Sequence, residues 1–230
     1  MSERKEIPYR IRFSRRRTIS ITISPDKGVI VGAPYRTSAG TIERIVRGKS
    51  EWINKTLEGF LSLRRIDNKD GYSDGDEIML FGRTHILRII QSPTSYVRFS
   101  GSSIIEAGVN GNADPELVRT ILEKWFATIA KPKLTAMFAG VLEKHRSRGF
   151  NPSGFNVRKM KKRWGSCSSK GNIAVSYDLI RLDDVFSEYV IIHELCHLKH
   201  HNHSRDYYRL LSEVYPGWKS VRKELRTWLR

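Results

Sequence analysis

Five of the seven histidines in the chain lie in one short segment, HELCHLKHHNH, at positions 193–203. His193 and His197 are four residues apart, so on an α-helix their imidazoles project from one face, a single turn apart. Two imidazoles in this arrangement can bind one zinc ion without bending the helix. Glu194 follows the first imidazole and would lie beside a water molecule at that ion, where its carboxylate can accept a proton. The spacing therefore predicts one zinc ion with Glu194 as a general base.

The helix that carries this motif reads DDVFSEYVIIHELCHLKH, residues 183–200, and is largely apolar. A helix that is apolar on most sides is expected to be buried. Ionisable side chains are costly to bury unless something pairs with them, and a metal ion does so. The apolar surroundings therefore favour a metal site over a chance occurrence of the motif.

A catalytic zinc ion generally has three protein ligands and one open position, so a third ligand must come from beyond this helix. His203 follows His197 by six residues, and the segment LKHHN between them is long enough for the chain to leave the helix and turn back. Ser204 can cap the next helix, RDYYRLLSEVY, and hold His203 at its entrance. We therefore predict His203 as the third ligand.

Three other side chains compete for this position. His200 and His201 follow His197 closely, but a third histidine on the same straight helix would lie about 6 Å further along the axis, too far for one tetrahedral centre. We expect both to lie at the surface or to support a ligand. Glu213, on the following helix, is a further alternative that we rank below His203.

The remaining sequence predicts an α+β fold. Alternating apolar residues around a PDKG turn indicate a β-hairpin within residues 17–34, and helical periodicity follows in residues 38–61. Strand patterns in residues 78–91 and 95–108 predict a small antiparallel sheet. A long helix should begin after the N-cap Asp114 and be interrupted or kinked at Pro132. We place a domain boundary near residue 112, between a β-rich accessory region, 1–112, and a catalytic domain, 113–230.

Composition excludes some classes of protein. The two cysteines, Cys167 and Cys196, are too few for a disulfide scaffold, which favours a reduced, cytoplasmic setting. No secretory signal and no run of eighteen apolar residues is present, so we expect a soluble protein with no membrane partner. The formal charge of +17 is expected to attract polyanions, and makes a nucleic acid or nucleotide a possible partner.

Several segments together resemble the YgjP-like family of predicted metal-dependent hydrolases, relatives of the SprT-like and WLM zinc peptidases. They are RWGSCSSKGNIAVSYDLIRL, YVIIHELCHLKHHNHSRDYYRLL, WINKTL and the early RRRTISITISPDKGVIVGAPYRTS. The strand and helix patterns above predict a β-rich N-terminal half with two helices. The resemblance implies a zincin-like catalytic half, and we expect a small antiparallel sheet to pack on its active-site helix. Its implied ligands are His193, His197 and His203, with Glu194 as general base.

One feature departs from the longer zincin motif His-Glu-x-x-His-x-x-Gly-x-x-His. This chain has His200 where those zincins have glycine. The departure argues against membership of that group of zincins, although the spacing of the three ligands is the same.

The segment RKMKKRWGSCSSKG, residues 158–171, is the candidate substrate-binding strand. In zinc peptidases, a strand beside the active-site helix binds extended substrate through its main chain, and Arg163, Trp164, Gly165 and Ser166 lie where such a strand is expected. The five basic residues at positions 158–163 and the tryptophan could equally contact phosphates and a stacked base. An ordinary basic edge strand with a core tryptophan is the third interpretation.

Four further side chains lie near the predicted site. Tyr207 or Tyr208 could donate a hydrogen bond to a developing oxyanion, and we include Tyr207 among the substrate-binding residues; core packing is the alternative for both. Cys167 is either an inert thiol or a redox-sensitive latch at the metal. Cys196 is expected to pack in the core.

The sequence therefore predicts a zinc-dependent hydrolase, most simply a metallopeptidase acting on peptides or proteins. One alternative is a metal-dependent phosphohydrolase acting on nucleotides. A nucleic-acid-associated protease, or a binding protein with a structural zinc, is another. No oligomeric state follows from the sequence.

Overall fold

The computed structural model of the protein describes residues 7–24, 28–61, 64–65 and 71–229. The chain divides into two compact units, Met1–Arg64 and Arg65–Arg230. Both helices and strands are present in each unit, which confirms the α+β fold class. The boundary predicted near residue 112 stays a prediction, and it lies between a strand and a helix of the larger unit.

The smaller unit is a three-stranded sheet with two helices. The predicted hairpin is confirmed, because β2 and β3 pair antiparallel, although its turn at 25–27 lies outside the described residues. β1 pairs parallel with the other side of β3. Buried apolar side chains from β3 and both helices form a separate core. The elements are β1 (Tyr9–Ser14), β2 (Ser20–Ser24), β3 (Gly28–Pro34), α1 (Ala39–Gly48) and α2 (Ser50–Leu61).

The larger unit contains the predicted site. Its strands are β5 (Glu77–Leu80), β6 (Arg83–Gln91), β7 (Tyr96–Phe99), β8 (Ile104–Val109), β9 (Gly154–Arg158), β10 (Gly165–Cys167), β11 (Asn172–Ser176) and β12 (Trp228–Leu229), and the short β4 (Arg64–Arg65) spans the boundary between the units. Its helices are α3 (Pro115–Lys144), α4 (Asp184–Cys196), α5 (Arg205–Val214) and α6 (Trp218–Leu225), with 3₁₀ turns at Arg146–Arg148 and Tyr177–Arg181.

The two main sheets of this unit are mixed. β5 to β8 form a sheet in the order β5-β6-β8-β7, in which β6 and β8 are parallel, so the prediction of a purely antiparallel sheet there is wrong. The order of the second sheet is β10-β11-β9, and β9 pairs parallel with β11. Both β10 and β11 pack on α4, so the implied contact between sheet and active-site helix is confirmed, although this sheet is also mixed.

The long helix α3 organises the core of the larger unit. Asp114 is its N-cap and accepts a hydrogen bond from the backbone N–H of Leu117 at 3.2 Å, and Pro115 is its first residue, as predicted. Pro132 does not interrupt the helix, which continues to Lys144, and the alternative of a kink stays a prediction. Proline has no backbone N–H, so the carbonyl one turn earlier in the helix loses its partner. Pro132 is exposed, and water can reach this carbonyl.

The helix α4 is buried as predicted. Ile191, Ile192 and Leu195 have no exposed surface, and α4 packs against α3, α5 and α6 as well as the β9–β11 sheet. This enclosure fixes the orientation of the side chains at the end of the helix, where the histidine motif lies. Among the described residues, no helix combines the length and apolar character needed to cross a membrane.

Candidate active site

The three predicted histidine ligands come from the end of α4 and the loop behind it. His193 lies in the last turn of α4, and His197 is the residue that ends the helix. Ser204 caps α5 by accepting a hydrogen bond from the backbone N–H of Tyr207 at 3.3 Å, as predicted. This cap fixes the start of α5, and His203 directly precedes it.

The structure brings the three imidazoles together. One ring nitrogen from each of His193, His197 and His203 lies within 4.8 Å of the others. The Nε2 atoms of His193 and His203 are 3.2 Å apart. Zinc binds nitrogen at about 2.0 to 2.1 Å in a tetrahedral array, which separates neighbouring nitrogens by about 3.3 Å. The residues present therefore fit a zinc ion.

The competing ligands lie elsewhere. Glu213 forms an ion pair with Arg148, with 2.7 Å between Oε2 and a guanidinium nitrogen. His201 is exposed, and neither it nor His200 belongs to the cluster. Within the described ranges, no second group of three His, Cys, Asp or Glu side chains converges in this way.

Tyr207 orients the imidazole of His193. Its hydroxyl oxygen lies 2.7 Å from Nδ1 of His193 and 3.2 Å from the backbone carbonyl of the same residue. When the hydroxyl donates to this carbonyl, its oxygen accepts the proton on Nδ1. The lone pair of Nε2, which faces His203, is then available to a metal ion.

A backbone carbonyl orients the second imidazole. Nδ1 of His197 lies 3.0 Å from the carbonyl oxygen of His200, and because a carbonyl can only accept, Nδ1 carries the proton. The Nε2 lone pair of His197 is then available as well. His200 therefore supports a candidate ligand through its main chain, and its side chain takes no part.

The surroundings of the three imidazoles favour the neutral form, which is the form that binds metal. Burial, assisted by the neighbouring His197 and His203, lowers the pKa of His193 to about 3. The pKa values of His197 and His203 are also lowered, in each case mainly by burial.

The carboxylate of Glu194 is enclosed beside this cluster, with 6% of its surface exposed. Burial raises the pKa of Glu194 to about 8, while the charge of Arg163 and a hydrogen bond from the backbone N–H of Cys167 oppose the rise. A buried carboxylate with a raised pKa can accept a proton and return it near neutral pH.

Gly165 allows β10 to pass close to this carboxylate. A Cβ atom at Gly165 would lie 2.6 Å from Oε1 of Glu194 and 2.9 Å from Cγ1 of Val190. Both contacts are shorter than van der Waals separation, and both neighbours are buried, so neither can move easily. The role of Gly165 is therefore to leave space for Glu194.

We expect Gly165→Ala to lower the free energy of unfolding by about 1–3 kcal/mol, because it overpacks a buried contact. Gly140→Ala is the matched control, since Gly140 lies in α3 with no atom within 4 Å of an added Cβ. Alanine there should stabilise the helix by about 0.5–1 kcal/mol. Urea unfolding of both variants measures the difference, and equal stabilities would contradict the close approach.

The other candidate substrate-binding residues occupy or precede β10. Arg163 is exposed, and its charge reaches Glu194. Trp164 packs partly buried against the core, and its carbonyl accepts a hydrogen bond from the backbone N–H of Ser176 at 2.8 Å. Ser166 pairs with Ala174 of β11. β10 is the edge strand of its sheet, so its second edge faces no strand among the described residues.

The hydroxyls of Tyr207 and Tyr208 both contact other side chains of the protein. Tyr207 is fully buried, and its hydroxyl is engaged by His193. The ring of Tyr208 stacks on Trp218 at 5.2 Å, and its hydroxyl accepts a hydrogen bond from Arg222 at 3.3 Å. This placement agrees with core packing, the alternative for both tyrosines, and the substrate contact of Tyr207 stays a prediction.

The two cysteines are protonated thiols outside the histidine cluster. Burial, with a smaller effect from the charge of Glu194, raises the pKa of Cys167. Its Sγ donates to the carbonyl of Ser168 at 3.5 Å. Burial raises the pKa of Cys196 to about 12, and this side chain packs in the core as predicted.

Sequence reasoning missed two residues near the cluster. The hydroxyl of Tyr189 lies 3.5 Å from Nδ1 of His193, a contact that its position one helical turn before His193 could have indicated. The guanidinium of Arg222 helps to lower the pKa values of His193 and His203. No spacing in the sequence links Arg222, on α6, to the histidines.

Two solved structures are similar to part of the chain. The metallopeptidase zymogen abylysin from Pyrococcus abyssi is 23% identical, with a TM-score of 0.36, over 41% of this chain and 92% of its own. The metallopeptidase zymogen jannalysin from Methanocaldococcus jannaschii is 20% identical, with a TM-score of 0.35, over 40% of this chain and 92% of its own. None of the curated proteins compared with the chain matches it.

The family comparison covers nearly the whole sequence. A model of the YgjP-like metallopeptidase domain matches residues 17–227, which include most of both compact units. The match confirms the resemblance seen in the sequence motifs. The chain therefore belongs to the YgjP-like family of metallopeptidase domains, and it is a metal-dependent hydrolase.

Proposed function

We propose that the protein is a zinc-dependent peptidase in which His193, His197 and His203 bind one zinc ion and Glu194 is the general base. The observation that carries this proposal is the convergence of three imidazole nitrogens within 4.8 Å of one another, next to a buried carboxylate. Three neutral nitrogen ligands leave one tetrahedral position for solvent or substrate, as is typical of catalytic zinc sites.

The proposed reaction uses the zinc ion, the carboxylate of Glu194 and the two residues of β10 that position this carboxylate. A bound zinc ion would lower the pKa of water toward about 7 and polarise the scissile carbonyl. Glu194 accepts the proton of the attacking water and delivers it to the leaving amine. The backbone N–H of Cys167 holds the carboxylate in position, and the absence of a side chain at Gly165 keeps that position open.

The edge strand β10 supports a peptide as the substrate. An extended peptide can add to an exposed strand edge through main-chain hydrogen bonds. Among the strands that the structure describes, β10 pairs with β11 alone, and its first residue, Gly165, lies against Glu194. A peptide paired with the other edge would pass its carbonyl groups close to the proposed base.

The first test is metal removal. We expect zinc-loaded protein to cleave unstructured peptides such as casein fragments, to lose this activity on dialysis against a chelator, and to regain it with one equivalent of zinc. Nucleoside triphosphates, assayed in parallel, should not be hydrolysed. Hydrolysis of nucleotides without peptide cleavage would overturn the peptidase proposal and favour a phosphohydrolase drawn to anions by the +17 charge.

Tyr207→Phe tests the support of the first ligand. The variant keeps the buried ring but loses the hydroxyl that contacts Nδ1 and the carbonyl of His193. Zinc affinity, measured by competition with a chelator, should fall about 10- to 100-fold. Tyr208→Phe is the control, because its hydroxyl contacts Arg222 and no histidine nitrogen. Equal affinities for the two variants would show that Tyr207 does not orient His193.

A further inference from the structure

A polar cavity of about 240 Å³ lies between the β10–β11 turn and the segment that follows α4. The turn contributes Ser169 and Lys170, and the segment contributes Lys199 and His201. Asn151 and Ser153, just before β9, complete the polar part of the lining. We call this the basic cavity.

The charge of the basic cavity is uncompensated. Its lining includes two lysines and no aspartate or glutamate. In the part of the chain that the structure describes, neither Lys170 nor Lys199 has a carboxylate within 4.0 Å. Two ammonium groups, with an imidazole and the hydroxyl of Ser169 beside them, form an environment that favours a carboxylate. The hydroxyl of Ser153 donates instead to the backbone carbonyl of Lys170 at 2.5 Å.

The basic cavity is connected to the candidate active site by two short segments. β10 begins at Gly165 beside Glu194 and ends at Cys167, and the turn with Ser169 and Lys170 follows at once. Lys170 is three residues from Cys167, and three residues span at most about 11 Å, so the turn lies within that distance of the residue that contacts Glu194. On the other wall, Lys199 follows His197 by two residues.

We propose that the basic cavity is a substrate subsite that binds a carboxylate of the peptide, two to four residues from the scissile bond. This inference rests on the proposed peptidase function, because it assumes a peptide paired along β10. A peptide extended along this strand reaches the end of the sheet after two or three residues, where the two lysines can contact its side chain. An aspartate or glutamate at that position gains two charge-assisted contacts that asparagine lacks.

The test uses full-length, zinc-loaded protein and peptides blocked by N-terminal acetylation and C-terminal amidation. Aspartate, asparagine and lysine are placed in turn at each of four positions on both sides of the scissile bond. We expect aspartate to raise kcat/KM at least about 10-fold over asparagine at one position, and lysine to lower it there. The same order should appear in the Kd values of these peptides for the Glu194→Gln protein, which separates binding from turnover.

A charge reversal identifies the subsite. The double variant Lys170→Glu with Lys199→Glu should reverse the preference, so that the ratio of kcat/KM for the aspartate peptide to kcat/KM for the lysine peptide falls below one. The control, Lys124→Glu with Lys131→Glu, makes the same change in net charge on exposed lysines of α3 outside the cavity and should keep the preference for aspartate. A control variant that also loses the preference for aspartate would overturn the proposal, because the net charge of the protein would then explain the preference.

The remaining outcomes separate the two proposals. Cleavage of all blocked peptides at equal rates overturns the subsite and leaves the peptidase function intact. The exception is a peptide with a free C-terminus whose cleavage rate depends on the two lysines. Such a dependence supports a carboxylate subsite and assigns it to the end of the peptide chain. Failure to cleave any peptide overturns the peptidase function, and the subsite with it.

Discussion

Replacing Glu194 with glutamine is expected to lower kcat for peptide hydrolysis by about 10³-fold while zinc stays bound. Glutamine keeps the size of the side chain but cannot accept the proton of the attacking water, and general acid–base catalysis typically contributes 10² to 10⁴-fold. Glu194 is enclosed beside the histidines, and among the described residues no Asp or Glu side chain belongs to the histidine cluster. We therefore expect no second carboxylate to take over its role.

The measurement is kcat with a saturating peptide, together with the zinc content of the same sample. Glu213→Gln is the matched control, because Glu213 is a half-exposed carboxylate whose ion pair with Arg148 lies outside the cluster. An exposed ion pair contributes about 0–1 kcal/mol to stability, so this variant should fold and retain its activity. A zinc-loaded Glu194→Gln protein with more than a tenth of the original kcat would contradict the proposed mechanism.

Replacing His203 with alanine is expected to weaken zinc binding by more than about 100-fold and to abolish peptide hydrolysis at limiting zinc. Loss of a residue that only supports a ligand already lowers affinity 10- to 100-fold, and loss of a ligand should exceed this. His203 is exposed and precedes the cap of α5, so its removal should leave the fold intact. Retained helical content, measured by circular dichroism, would establish that the loss is local.

The neighbouring histidines provide the controls for this experiment. His200→Ala keeps the backbone carbonyl that accepts from His197, and His201 lies outside the cluster. Both variants should therefore bind zinc nearly as tightly as the unmodified protein. Tight zinc binding by His203→Ala, with a loss in the His201→Ala protein, would assign the third ligand to His201 and refute our placement.

Local patterns in the sequence were sufficient to predict the histidine cluster. The four-residue interval between His193 and His197 determines a shared helix face, since an α-helix has 3.6 residues per turn. The caps Asp114 and Ser204 were also predictable, because a capping side chain bonds to a backbone N–H only three residues away. Such features depend on residues that are close in sequence, so the spacing of residue types along the chain is sufficient to predict them.

The order of the strands depended on tertiary structure. The three larger sheets described share one arrangement. Two strands separated by one other strand along the chain pair parallel, and the strand that separates them in sequence lies at the edge of the sheet, as in the orders β1-β3-β2 and β9-β11-β10. Alternating apolar residues state which face of a strand is buried, but they do not state which strand is its neighbour. The position of β10 at the edge of its sheet, on which the proposed peptide binding depends, could therefore not be predicted from the sequence.

By itself, the sequence determined which residues are the three candidate ligands and the candidate general base, and which buried helix carries them, because helical spacing and turn length act over a few residues. Tertiary structure alone decided that the hydroxyl of Tyr207 orients His193, that Gly165 gives Glu194 its space, and that two lysines line one cavity. These contacts join residues far apart in sequence, or depend on side-chain direction, and both are settled only when the core packs.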